Sequence, residues 1–235
     1  INGMDNYCRA VAIFPGNYNL GLVWNNGHIS LIGLGDSPND VTITVGVDED
    51  GNPLPGRHFQ ISDNSFLGLT NLTLSGGTGD GDGGSILAIN SDLDLNHVRF
   101  VNNTSDNDGG AISITNGTLS TDNSTFRNNV AGDDGGAIAM FQGTLIDKGS
   151  TFRNNRGQKG GALLLEGSEA DLSDTHFESN NATQTGGAMH FTGDDLLKVE
   201  RAKVWLNASN TNGGGFNIVD HDNVNSYIRN TRFQD

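Results

Sequence analysis

The amino-acid sequence predicts an all-β fold, a right-handed parallel β-helix (solenoid) of about nine coils, with roughly 26 residues and three short strands in each coil. Three observations predict it: glycine pairs recur 25–27 residues apart, a phenylalanine follows the pair at a fixed distance, and an asparagine follows the phenylalanine. A repeat of this length indicates structural units that bury their apolar side chains by stacking on one another. The glycine pairs are Gly83-Gly84, Gly109-Gly110, Gly135-Gly136, Gly160-Gly161, Gly186-Gly187 and Gly213-Gly214.

Turn residues divide each repeat into segments that are too short for helices. In the second repeat these segments are residues 111–114, 117–120 and 124–126, each bounded by Gly, Asn or Asp. Short apolar or β-branched segments with such boundaries are typical of strands. Because neighbouring strands lie about 4.8 Å apart, equivalent residues of successive coils are expected to stack in rows along the solenoid.

The predicted rows define an apolar interior and two bends. We expect the phenylalanines to form an inward aromatic row: Phe100, Phe126, Phe152 and Phe177. Three residues after each of them, we expect a row of asparagines at a bend: Asn103, Asn129, Asn155 and Asn180. Asparagine tolerates a left-handed backbone, and its amide group can bond to the same group in the next coil. Between the inward positions of the strand after each glycine pair, the sequence places four residues that we expect to face outward: Ser113, Ala139, Leu164 and His190.

The glycine-pair segments read GGAI, GGAI, GGAL and GGAM, at residues 109–112, 135–138, 160–163 and 186–189, and they alternate with FVNN, FRNN, FRNN and FESN. This alternation resembles the GGAI/FxxN repeats of chlamydial-type polymorphic outer-membrane proteins and related surface proteins with a pectin-lyase-like β-helix. The resemblance covers about residues 74–215. It implies the architecture specifically, and it implies adhesion and surface display as roles of the whole protein.

The rest of the chain fits one continuous domain, residues 1–235. Residues 1–73 are expected to form irregular opening coils, with an exposed loop near residues 48–57 that holds two of the four prolines. The entry PGNY…ISLIGLG is similar to the first coil of many pectin-lyase-like proteins. Residues 74–215 form the regular coils and residues 216–235 a last partial coil, and we interpret the chain as a segment of a longer protein.

Composition restricts the partners and the cellular location. The net charge of −15 argues against nucleic acid or an anionic membrane as a partner. No apolar stretch is long enough to span a membrane. Low lysine content, acidity and many Asn, Ser and Thr residues indicate an extracellular or cell-surface protein. Cys8 has no internal disulfide partner, so it is either a small buried apolar side chain or bonded outside these residues.

Aspartates precede three successive glycine pairs and form the candidate metal site. If they stack about 4.8 Å apart, their repulsion needs relief. A structural Ca²⁺ shared between coils, a terminal salt bridge to Lys159 and a solvated acidic edge are the alternatives. No other cofactor is expected. The candidate ligands are Asp80, Asp82, Asp106, Asp108, Asp133 and Asp134.

The sequence offers little for catalysis. The four outward positions carry neither paired carboxylates nor an arginine, and the six histidines occupy different positions of the repeat. We therefore expect no catalytic residues. A polysaccharide-acting enzyme of the pectin-lyase-like type and a glycan-binding module with outward Trp24 or Trp205 are the alternative functions.

Sequons for N-glycosylation are slightly more frequent than chance predicts. If the protein is secreted by a eukaryote, four of them are the better acceptors because they lie outside the asparagine row. They are Asn71, Asn116, Asn123 and Asn181.

The expected function is that of a non-catalytic extracellular or cell-surface β-helix module, either a structural and adhesive spacer or a subunit of a filament or surface assembly. Other domains or subunits are expected to dock on the open ends of the solenoid, because terminal strands present unpaired edges. Glycans or host and cell surfaces are the other expected partners.

Overall fold

The computed structural model describes residues 9–45 and 56–234, which form a parallel β-solenoid without a helix. The all-β solenoid predicted from the glycine, phenylalanine and asparagine spacing is therefore confirmed. Cys8 and nearly all of the loop expected at residues 48–57 lie outside the described residues.

Three long sheets run along the solenoid, and each coil contributes one strand to each sheet. Sheet I, which follows the glycine pairs, contains Leu22–Asn25, Phe59–Ser62, Ile86–Ile89, Ile112–Thr115, Ile138–Phe141, Leu163–Glu166, Met189–Thr192 and Phe216–Val219. Sheet II contains Arg9–Ile13, His28–Gly33, Phe66–Thr70, Asp92–Asn96, Thr118–Asp122, Thr144–Lys148, Glu169–Ser173, Leu197–Glu200 and Tyr227–Arg229. Sheet III contains Gly16–Asn19, Val41–Thr44, Thr73–Ser75, Arg99–Val101, Thr125–Arg127, Thr151–Arg153, His176–Glu178, Lys203–Trp205 and Arg232–Gln234.

The coils number about eight, matching the eight strands of sheet I, not the nine predicted; sheets II and III each hold a ninth strand that belongs to an incomplete coil. Two coils are longer than the repeat. His28 pairs with Phe66, 38 residues later, and Lys198 pairs with Tyr227, 29 residues later. These longer coils consume residues without adding height to the solenoid.

A fourth, short sheet lies between sheet III and the glycine pairs. Its strands are Thr78–Gly79, Thr104–Ser105, Val130–Ala131, Arg156–Lys159, Asn181–Thr185 and Ala208–Ser209. Most of these strands are only two residues long and lack apolar alternation, so the sequence pattern gave no signal for them. The middle coils therefore have four strands rather than the predicted three.

The predicted aromatic row is present. Phe126 pairs in register with Phe100 and Phe152, and its ring stacks on theirs with centroid distances of 4.9 and 4.7 Å and nearly parallel planes. The Phe152 and Phe177 rings follow at 5.2 Å. Beyond Phe177 the row continues with Val204. The ring of Phe216, from sheet I, packs edge-on against Phe177 at 5.5 Å.

The predicted asparagine row is also present and buried. The side-chain oxygen of Asn155 accepts hydrogen bonds from both the backbone and the side-chain nitrogen of Asn129, each at 3.0 Å. In the same way, the side-chain oxygen of Asn180 accepts hydrogen bonds from the backbone and side-chain nitrogens of Asn155, at 3.0 and 2.9 Å. The side-chain nitrogen of Asn155 also donates to the carbonyl of Phe126 at 3.0 Å, so each amide joins two coils.

Left-handed backbone occurs one residue earlier than expected. Asn102, Asn128 and Asn154, which precede the buried asparagines, have φ values of 54–56°, whereas the buried asparagines themselves do not. At each bend, the first asparagine therefore adopts the left-handed backbone, and the second one makes the buried hydrogen bonds to the neighbouring coils.

The four residues expected to face outward from sheet I are buried, so that expectation was wrong. Ser113, Ala139, Leu164 and His190 are at most 8% exposed. The glycine turn folds back over the strand that follows it. A Cβ on Gly109 would lie 2.2 Å from the carbonyl oxygen of Ile112 and 2.9 Å from the nitrogen of Ser113. Only glycine permits this contact, and its φ of 68° requires glycine for the same reason.

Candidate functional site and surfaces

The aspartates before the glycine pairs are arranged as a hydrogen-bonded row. The carboxylate of Asp82 accepts a bond from the backbone N–H of Asp108 (3.4 Å), and that of Asp108 accepts one from the N–H of Asp134 (2.9 Å). The carboxylate of Asp134 accepts the N–H of Lys159 at 2.8 Å, and the Lys159 Nζ lies 3.6 Å from its other oxygen. Backbone donors and a terminal lysine therefore relieve the repulsion between these carboxylates.

The remaining three candidate ligands turn towards solvent. Asp80 lies 3.6 Å from the Arg57 guanidinium, Asp133 accepts a 2.7 Å bond from Gln158, and Asp106 is exposed. Within residues 9–45 and 56–234, no group of three or more His, Cys, Asp or Glu side chains is placed to hold a metal ion. Calcium binding at this row stays a prediction of the sequence.

Calcium removal tests that prediction directly. A Ca²⁺ shared between coils would stabilise the folded state by mass action, so chelation is expected to lower the melting temperature and added calcium to restore it. Asp108→Asn should then abolish the difference between the two melting temperatures. Identical melting curves with chelator and with calcium would show that this row binds no stabilising Ca²⁺.

The row has its own pH response. Burial raises the pKa of Asp108 above 3.8, and the charges of Asp134, Asp82 and Asp133 raise it further. Below that pKa the carboxyl is protonated and the charge repulsion along the row is reduced.

The four predicted glycosylation acceptors differ in exposure. Asn116, Asn123 and Asn181 are exposed, whereas Asn71 is half-buried and its side-chain nitrogen donates to the carbonyl oxygens of Gly33 and Gly35 at 3.2 and 2.7 Å. A sugar on Asn71 would replace one of the two N–H groups and so remove one of these bonds, whereas the other three positions are exposed and fit a glycan better.

The histidines do not form a catalytic group among the described residues. His58 is fully buried, bonds to Ser85 at 2.9 Å, and its pKa is lowered to about 4 by burial. His190 contacts Thr185 and Asn217 at 2.9 and 3.0 Å, and burial lowers its pKa as well. Both imidazoles are therefore neutral at pH 7 and have structural partners.

A polar groove follows the bend between sheets I and II, in three cavities of about 810, 510 and 420 Å³. Its acidic residues include Asp92 and Glu169, which occupy one row of sheet II. Three coils separate them, or about 14 Å at the spacing of parallel strands. Paired carboxylates that hydrolyse glycosides lie about 5–10 Å apart, so these two are too distant for that role.

A buried polar cluster inside the solenoid was missed by sequence reasoning. Asp147 is 1% exposed and occupies an inward position of sheet II between Thr121 and Leu172. Its carboxylate accepts hydrogen bonds from the hydroxyls of Thr121 and Thr175, and burial raises its pKa. The sequence signal was a pair of polar residues, Thr121 and Asp147, at successive positions of a row that is apolar at Leu95 and Leu172.

Asp147 is expected to make stability pH-dependent. Because burial raises the folded-state pKa above the ordinary 3.8, the folded protein holds this proton more tightly than the unfolded chain does. The resulting stabilisation is complete below the unfolded pKa and is lost as pH rises through the folded pKa. Asp147→Asn cannot ionise, so its stability relative to wild type should increase from pH 4 to pH 7.

Urea unfolding at several pH values measures that difference. Asp171→Asn, exposed on the outer side of the same sheet, is the control and should leave the pH profile of the wild type unchanged. A parallel profile for Asp147→Asn would show that this carboxyl does not titrate differently in the folded state.

Arginines beside the phenylalanine row are a second feature that the sequence search missed. Arg99 immediately precedes Phe100, and Arg127 and Arg153 immediately follow Phe126 and Phe152. Alternation along these strands turns the arginines outward while the rings point inward. The signal was present in the motif FRNN, but it was read only for its Phe and Asn.

Comparison with known families identifies the repeat. Residues 97–115 and 123–139 match the Chlamydia polymorphic membrane protein (Chlamydia_PMP) repeat. Both segments contain a phenylalanine and a buried asparagine of the rows described above. Comparison with curated proteins finds no match for the chain. The chain therefore contains repeats of the Chlamydia polymorphic membrane protein type, folded as a parallel β-solenoid.

Proposed function

We propose that this chain is a non-catalytic module of an extracellular or cell-surface protein, which acts as a stiff spacer and presents its outer faces for adhesion or surface assembly. The matched repeat supports the surface location, because the family it describes is one of membrane proteins. Among the described residues no helix is long and apolar enough to cross a membrane.

The unbroken asparagine row is the observation that carries the spacer role. Each of its amides, from Asn103 through Asn207, bonds the backbone of the preceding coil, and those of Asn103 through Asn180 also donate to the amide of the next coil. Bending the solenoid at any of these coils would break buried hydrogen bonds, each of which costs about 1–3 kcal/mol when left unmade. A structure of this kind holds its two ends at a fixed separation.

The surfaces favour binding over catalysis. The sheet I row that would line a catalytic face is buried, and Asp92 and Glu169 in the groove are too widely separated for glycoside hydrolysis, although Asp195 lines the same cavity in the coil next to Glu169. A polysaccharide-acting enzyme remains the alternative, and turnover of uronate polymers by the purified chain would establish it.

Both end coils expose apolar side chains, which supports docking of other domains or subunits there. Phe14 is 70% exposed at one end, and Phe233 and Val224 are 51% and 93% exposed at the other. Within the described residues, the terminal strands of the three long sheets each pair on one side, and such an edge can pair with another chain.

Labelling of intact cells tests the proposal. Antibodies against the chain should bind cells that make the protein without permeabilisation, and protease added outside should remove the epitope. Labelling that requires permeabilisation would contradict the surface role.

A further inference from the structure

The outer face of sheet III is basic in an otherwise acidic chain. Arg99, Arg127 and Arg153 lie on this face in three successive coils, and Arg156 follows on the fourth sheet. Arg127, Arg153 and Arg156 are exposed and Arg99 is half-buried. In these coils the face carries no acidic side chain, although the whole chain has a net charge of −15. We call these four residues the arginine face.

The arginines of this face are mostly without ionic partners. Within the described part of the chain, Arg153 pairs with Glu178 at 3.6 Å, while Arg99, Arg127 and Arg156 form no salt bridge. Arg127 and Arg153 are direct neighbours in the register. Like charges placed opposite one another on adjacent strands destabilise a sheet. Folding therefore gains nothing from this arrangement, in contrast to the aspartate row, whose carboxylates accept backbone hydrogen bonds.

We propose that the arginine face binds an anionic polysaccharide, with carboxylate or sulfate groups, that lies along the axis of the solenoid. The inference rests on the proposed adhesive function and names a ligand class for it. The guanidinium group presents paired N–H donors that match carboxylate and sulfate oxygens. Arg127 and Arg153 are register partners about one coil, roughly 4.8 Å, apart, Arg99 lies one coil before Arg127 at the other end of its strand, and Arg156 lies on the adjacent fourth sheet, so a linear polymer that follows the axis meets several of them.

Polar side chains beside the arginines fit sugar hydroxyls. Thr125 and Thr151 occupy the same outward face, and the bend next to it carries Asn128 and Asn154. These hydroxyl and amide groups both donate and accept hydrogen bonds, as a sugar ring requires.

Nucleic acid and membranes fit this face less well. Single-stranded nucleic acid is bound by aromatic platforms, and the described outward positions of sheet III carry only two aromatic side chains, His176 and Trp205, one and two coils beyond Arg153. A membrane surface needs a group of apolar side chains to insert, whereas beside the arginines the structure shows Val130 37% exposed, opposite Arg156, and Val101 half-buried, opposite Arg127.

Binding of defined polymers to the purified chain tests the proposal. The probes are heparin fragments and oligogalacturonate, with single-stranded DNA and vesicles containing phosphatidylserine as competitors of other classes. We expect saturable binding of at least one glycan that weakens with rising salt. Arg127→Gln/Arg153→Gln should bind about tenfold more weakly, because two charge-assisted contacts are lost.

The matched control removes two charges from another face. Lys148→Gln/Lys198→Gln removes two positive charges from sheet II and is expected to change the affinity for the glycan less than twofold. Circular dichroism checks that both double variants fold. An equal loss in the two double variants, no glycan binding at 0.15 M salt, or stronger binding to DNA or vesicles would overturn the proposal. Because this assay uses purified chain, it can succeed or fail independently of the intact-cell labelling.

Discussion

Phe126→Ala is expected to lower the free energy of unfolding by about 3–5 kcal/mol. The ring is fully buried and lies between the parallel rings of Phe100 and Phe152, at 4.9 and 4.7 Å. Its removal leaves a cavity in the centre of the solenoid and ends the stacking between three coils. The backbone hydrogen bonds of sheet III hold the neighbouring coils in place, so the cavity cannot close fully.

Chemical denaturation followed by circular dichroism measures this loss. The matched control is Phe14→Ala, since Phe14 is 70% exposed in the first coil and its removal should change stability by less than about 0.5 kcal/mol. A cost below about 1 kcal/mol for Phe126→Ala, or equal costs for the two variants, would show that the aromatic row does not support the solenoid.

Asn155→Ala is the second large effect, with an expected loss of at least about 3 kcal/mol. Its amide makes contacts with Asn129, Asn180 and the carbonyl of Phe126, all within 2.9–3.0 Å. Alanine would leave the backbone N–H of Asn129 buried without its partner and would remove the bonds that the Asn155 amide makes to the side chain of Asn129 and the carbonyl of Phe126. A buried group left without its partner costs about 1–3 kcal/mol.

The neighbouring residue supplies the control for this variant. Asn154 is exposed and has a φ of 54°, a conformation that glycine adopts freely, so Asn154→Gly should be nearly neutral. If Asn154→Gly costs as much as Asn155→Ala, the bend conformation and not the buried amide secures this corner of the coil.

The sequence predicted the rows because each row repeats one residue type at one spacing. Phe126 and Asn155 could be placed before any coordinate was known, since stacking at constant register follows from the repeat itself. Asp147 could not be placed, because an aspartate occurs only once in its row, next to Thr121 and otherwise among apolar residues such as Leu95 and Leu172. Its burial depends on hydroxyls of Thr121 and Thr175, which come from the coils on either side.

Other differences between the sequence predictions and the structure arise from contacts that the inward–outward alternation of strand residues does not describe. Ser113 was expected on the outside because it alternates with Ile112 and Ile114, and it is buried because the glycine turn folds back over it. The repulsion between Asp108 and Asp134 is relieved by a backbone N–H of the next coil. That donor becomes visible only when the register of two coils is known.

The charge pattern shows the same limit. A net charge of −15 argued against polyanionic partners, yet Arg127 and Arg153 share an outward row that Thr44 and Ser75 also occupy, in earlier coils. Composition averages over all faces of the solenoid, whereas a partner contacts one face. The arginine face could therefore be identified only after the register was established.

The central claim is that equivalent residues of successive repeats lie directly above one another, and distances between spin labels along one row test it most directly. With Cys8 replaced by serine, one label is placed at Asn19 and the second at Arg127, Arg153 or Trp205. These residues share an outward row of sheet III, four, five and seven coils from Asn19. At 4.8 Å per coil the expected separations are about 19, 24 and 34 Å. Separations that do not increase in proportion to the number of coils would contradict the stacked solenoid.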